Sequence, residues 1–174
     1  MSDSSTREVQ IDNVAPMEPS IRLSEPEGLG DKIWYGEEGG IATITAGADT
    51  LSGPWKIRYK VEGATTITER EIEGTTVTVN ITSAGESKIT AWTIDRAGNI
   101  SETAEEETIR IDTKAPKATI EEVSRGGHTI RVRAGWEDDS SGVYSYILWY
   151  RTKSTGSTWT EAGRVSSPNR RKSI

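Results

Sequence analysis

The sequence predicts an all-β protein made of tandem antiparallel β-sandwich units. Three observations carry that expectation. Ile occurs 18 times and Val 9 times, against 4 Leu and no Phe. Side chains branched at Cβ suit a pleated sheet, whereas Leu suits helices. Short alternating runs recur, separated by Gly, Asp, Asn and Pro. Third, "VQIDNVAP" at residues 9–16 returns as "IRIDTKAP" at residues 109–116, an offset of 100 from Ile11 to Ile111. That period is a whole sandwich domain, longer than any short solenoid repeat. A second echo, "GADTLSG" at 47–53 and "WEDDSSG" at 136–142, is offset by 89. The copies therefore differ in loop length.

The elements follow in order. "SIRL" opens the first unit; "KIWYG" (32–36) and "IATITA" (41–46) come next. "PWKIRYKV" (54–61) alternates Trp55, Ile57, Tyr59 and Val61 with Lys56, Arg58 and Lys60, the pattern of a strand with one wet face. "ATTITEREI" reads as an edge strand. "TVTVNIT" (76–82) turns Val77, Val79 and Ile81 inward, and "SKITAWTID" does the same with Ile89, Ala91 and Thr93. "ETIRID" closes the unit with Ile109 and Ile111. In the second unit, "HTIRVRAGW" (128–136) alternates Ile130, Val132, Ala134 and Trp136. "VYSYILWYR" (143–151) carries apolar residues on both faces, and Trp159 is expected on the following strand. The tail "VSSPNRRKSI" shows no continuing strand.

Between "SKITAWTID" and the closing strand lies "IDRAGNIS" (94–101). Asp95 ends a strand with a short acceptor suited to local backbone N–H groups. Gly98 supplies a left-handed conformation, and Asn99 tolerates one. The stretch predicts a tight, self-capped loop. Pro16 and Pro116 lack an N–H and mark the joints. The expected organisation is residues 1–15 as the end of a preceding repeat or linker, 16–112 as a complete sandwich, and 113–174 as a partial second module.

Asp95, Ala97, Gly98 and Asn99, with the joint residues Asp112, Ala115 and Pro116, resemble the closing loop and joint of bacterial immunoglobulin-like repeats. Ser52, Gly53 and Tyr59 resemble that family's turn and following strand. The second unit is also similar to fibronectin type III modules through Tyr146, Tyr150, Arg151 and Trp159. The resemblance implies tandem sandwich modules of a bacterial surface or secreted protein. It implies neighbouring repeats as the first partners.

Composition excludes more than it assigns. A net charge of −6 disfavours nucleic acid as a partner. The absence of cysteine removes disulfide and thiolate chemistry. No apolar run has the length of a membrane span, so no membrane insertion is expected. His128 is the only histidine, and no phosphate loop, nucleophile elbow or zinc spacing occurs, so no catalytic role is expected. No cofactor is expected either; calcium is the one ion the acids suit, through Asp95, Asn99 and Asp112 converging near the joint and through Asp138 and Asp139. Outward-facing Trp92 is the candidate platform for a polysaccharide. The leading expectation is a non-catalytic, extracellular or cell-surface spacer. Its rivals are an adhesin binding polysaccharide or extracellular-matrix protein, and an accessory domain of a secreted polysaccharide-degrading enzyme or phage tail.

Overall fold

A computed structural model describes residues 8–26, 34–152, 158–166 and 172–173. These fall into two compact units, one reaching to Ile111 and one starting at Asp112. The described residues contain strands and no helix, as the composition predicts. No helix is long and apolar enough to cross a membrane.

The first unit has eight strands: β1 (Ser20–Leu23), β2 (Trp34–Tyr35), β3 (Gly40–Thr45), β4 (Pro54–Gly63), β5 (Ile67–Glu73), β6 (Thr76–Ile81), β7 (Gly85–Asp95) and β8 (Glu105–Ile111). They form a sheet ordered β1-β3-β6 and a sheet ordered β2-β8-β7-β4-β5. Every pairing is antiparallel except β2 with β8. The two sheets share one core because their strands alternate in phase. Ile57, Tyr59 and Val61 of β4 are buried with Ile89 and Ala91 of β7 and Ile109 and Ile111 of β8. From the other sheet come Ile21, Ala42, Ile44, Val79 and Ile81. Thr93 is also fully buried, and its Oγ1 accepts the Gly47 N–H at 2.8 Å, so the hydroxyl is not stranded. As the sequence suggests, β5 is an edge strand; every residue after Ile67 in it is exposed.

The second unit has β9 (Lys117–Gly126), β10 (Thr129–Glu137), β11 (Ser145–Tyr150), β12 (Thr160–Ser166) and β13 (Lys172–Ser173). One sheet is ordered β13-β10-β9, and β11 and β12 form another. Two features depart from expectation. Strand β9 is not evident in the sequence, and the tail does continue the sheets: Val165 and Ser166 end β12, and Lys172 and Ser173 pair with β10. Trp159 immediately precedes β12. Burial differs sharply from the first unit. Among the described residues the fully buried hydrophobic side chains all lie at or before Ile111, and Ile120 in β9 is 65% exposed.

Candidate functional site

A densely connected polar group is built from three loops of the first unit. Asp12 lies before β1, Asp49 follows β3, and Asp95 ends β7. One carboxylate oxygen from each lies within 4.8 Å of the others. Like charges at that distance repel, so donors must offset them. Val14 N–H donates to Asp12 Oδ1 and Ser52 N–H to Asp12 Oδ2, both at 2.9 Å. Leu51 and Gly53 N–H both donate to Asp49 Oδ1, at 3.1 and 2.7 Å. Asn99 serves Asp95 twice, through its backbone N–H at 2.8 Å and its Nδ2 at 2.7 Å. Its Nδ2 also reaches the Asp12 carbonyl oxygen at 3.3 Å. The loop 94–101 thus closes as its residues predict, with Gly98 at φ 95°.

Asp95 is fully buried, whereas Asp12 and Asp49 are half-buried. The Ser52 hydroxyl has the largest influence in holding the Asp12 carboxyl below its ordinary range, although it falls short of a formed hydrogen bond; the Val14 N–H acts in the same direction. Asp49 Oδ2 is buried and meets no hydrogen-bond donor. Hard cations favour clustered carboxylate oxygens, and these three carboxylates with that free oxygen are the set that fits one.

The second unit repeats half of this arrangement. Lys114 and Ser141 N–H donate to Asp112 Oδ1 and Oδ2, both at 2.9 Å. Ser140 and Gly142 N–H donate to Asp138 Oδ1 at 3.0 and 2.7 Å. Gly53 and Gly142 adopt matching left-handed conformations, φ 79° and 82°. The two echoes in the sequence are therefore two halves of one staple, tying the entering segment of each unit to the loop after its second long strand. The joint aspartate that Asn99 reaches is Asp12, the repeat equivalent of the expected Asp112. Burial is the largest single influence on the Asp112 carboxyl and raises it. The Ser141 side chain and backbone and the Lys114 backbone together outweigh that and leave it lowered. Asp139 is exposed, with Lys114 Nζ at 4.0 Å. His128 sits exposed in the β9–β10 turn.

Trp92 lies on the outward face of β7, half-buried and in register with Arg58. That face is a lattice of opposite charges. Arg58 meets Glu71 at 2.7 Å and Glu69 at 3.8 Å; Lys56 meets Glu71 at 3.6 Å. Lys88 meets Glu106 at 2.7 Å, and Arg110 meets Glu86 at 3.0 Å. Arg58 holds the Glu71 carboxyl below its ordinary range.

No family model matches the chain, and no curated protein matches it.

Proposed function

We propose that the first unit is an immunoglobulin-like module acting as a rigid, non-catalytic spacer within a larger exported protein. The strand order β1-β3-β6 over β2-β8-β7-β4-β5 supports the module type, as does the Asp95–Asn99 loop. The observation that carries the spacer role is the outward face of the five-stranded sheet. Its charges are paired with one another across β5, β4, β7 and β8, so it offers no apolar patch rimmed by polar groups. Trp92 is half-covered within that lattice, which weakens its candidacy as a stacking platform. Stiffness would come from the aspartate staples, which fasten the segment entering each unit to the body of that unit.

The test is a binding screen of the 174-residue protein on immobilised polysaccharides and extracellular-matrix proteins, with Trp92→Ala alongside. The spacer reading expects no saturable binding by either. Saturable binding that Trp92→Ala abolishes would replace it with a carbohydrate-recognition module. The same screen repeated with calcium and with a chelator reports whether the carboxylate cluster contributes to any binding.

A further inference from the structure

The first unit is tied at two opposite poles. Asp12, the Asp49 loop after β3 and the 94–101 loop after β7 gather at one pole. Ile111 ends β8 at the other, opposite Gly85 at the start of β7. Strands β1 and β8 both run from the first pole to the second, since β1 starts opposite Thr45 and β8 starts opposite Ala91. A pull between Asp12 and Ile111 therefore acts along both strands. Hydrogen bonds of an antiparallel ladder stand across its strands. A pull along a strand loads them all together, whereas a pull across it breaks them one after another from the end.

The two strands are held unequally. Strand β8 pairs with β7 from Glu105 to Ile111, and Arg110 and Ile111 also pair with β2. Strand β1 pairs only from Ser20 to Leu23, and among the described residues only with β3. The aspartate staple stands in front of this weaker strand. Asp12 Oδ2 accepts the Ser52 N–H at 2.9 Å, and the Asp12 carbonyl oxygen accepts Asn99 Nδ2 at 3.3 Å. Ser52 lies just before β4 and Asn99 just after β7. The Arg96 N–H joins their two loops by donating to the Gly53 carbonyl oxygen at 3.1 Å. Force arriving at Asp12 thus passes into β4 and β7, which pair with each other along their length, then into β8. Strand β1 lies off that path.

From this layout we infer that the first unit is a tension-bearing link in which the Asp12 staple takes force first and keeps β1 unloaded. The inference deepens the spacer reading: a spacer holds a distance, and a link also holds a pull. Its failure would leave the spacer reading standing, because the binding screen tests that separately.

The test is constant-force stretching of the full chain, where lifetimes report the rate of opening. The chain has no cysteine, so pairs of introduced cysteines fix where force is applied. Three pairs at exposed positions suffice. Glu8→Cys with Thr113→Cys pulls through the staple. Met17→Cys with Thr113→Cys pulls behind it, directly on β1. Glu62→Cys with Thr113→Cys pulls across β4, β7 and β8 at one pole. At equal force, the first lengthening should take at least about tenfold longer from Glu8 than from Met17, the effect of one added bond to a charged acceptor. It should also take at least about tenfold longer than the pull from Glu62, which opens bonds singly. Asp12→Ala should bring the Glu8 pull down to the Met17 value and leave the Met17 and Glu62 pulls unchanged. Equal waiting times from Glu8 and Met17 overturn the inference, since the staple then carries no tension. So does a Glu62 pull that outlasts the Glu8 pull. An Asp12→Ala effect of the same size in all three pulls overturns it too, because Asp12 would then stabilise the unit without directing force. The comparison of Glu8 with Met17 keeps Asp12 in place, so it does not depend on the Asp12→Ala variant folding.

Discussion

A carboxylate oxygen that accepts two main-chain N–H groups cannot be truncated without stranding both. Asp49 Oδ1 is such an oxygen for Leu51 and Gly53, as Asp138 Oδ1 is for Ser140 and Gly142. Asp49→Ala is expected to destabilise the first unit by about 2 kcal/mol, since bonds to charged acceptors contribute about 1.5–3 kcal/mol. Asp49→Asn keeps an acceptor and removes one of three neighbouring charges, so its cost should stay below about 1 kcal/mol. Urea unfolding of both variants measures the difference; equal losses would mean the charge, rather than the acceptor, holds the loop. Protonation tests the same groups. Asp12 and Asp112 have folded-state pKa values below the ordinary 3.8. Such groups bind fewer protons folded than unfolded, so their stabilisation is intact above 3.8 and is lost as pH falls through the depressed values. Thermal melts from about pH 5 down to about pH 2 should show that loss, and Asp12→Asn with Asp112→Asn should flatten it. The turn residues of 94–101 made that loop legible because every interaction in it is local. The contact between Asp12 and the Asp49 loop spans 40 residues. Sequence offered it only as two separate echoes, with nothing to say that they touch.

At the scale of strands, alternation located β1, β3, β4, β6, β7 and β8 because each buries one face against a common core. Strand β9 escaped for a specific reason. Opposite the step from Arg133 to Ala134, its register runs Glu122 then Ile120, so Glu121 is an extra residue. A bulge reverses the phase of everything beyond it. Ala118 and Ile120 therefore fall on even positions and Val123 on an odd one, and no alternation survives to be read. Sequence also overestimated β11, whose apolar residues on both faces suggested cover on both sides. Trp149 and Tyr150 are exposed, and the inward Tyr146 and Leu148 are only partly buried. The energetic consequence is a contrast between elements of similar apolar content. Ile89 in β7 is fully buried, and Ile89→Ala should cost about 3 kcal/mol through lost transfer energy and a cavity. Ile120→Ala in β9, being largely exposed, should cost less than about 0.5 kcal/mol. Chemical denaturation of the two variants decides this; a large loss at Ile120 would mean that the β9 face is covered in solution.

For the whole molecule, the two units have opposite ratios of hydrogen-bonded backbone to buried apolar surface. The first closes thirteen buried hydrophobic residues between its sheets. In the second, long β9 and β10 pair along their length, yet Gly135 is the one buried residue among those described. Sheet hydrogen bonds alone contribute little net stability, because water competes for the same groups. Two-stranded pieces without a buried face are marginal. The 174-residue chain is therefore expected to unfold in two steps. Hydrogen exchange at rising urea should release β9 to β12 well before β4, β7 and β8, whose amides should open only with the first unit's global transition. Loss of the second unit should leave the urea midpoint of the first unchanged, because among the described residues its core and its Asp12–Asp49–Asp95 staple are built from residues up to Ile111. A ligand that binds only the folded second unit should raise its transition by mass action and leave the first transition in place. A single transition for the whole chain would mean that the two units fold as one cooperative body.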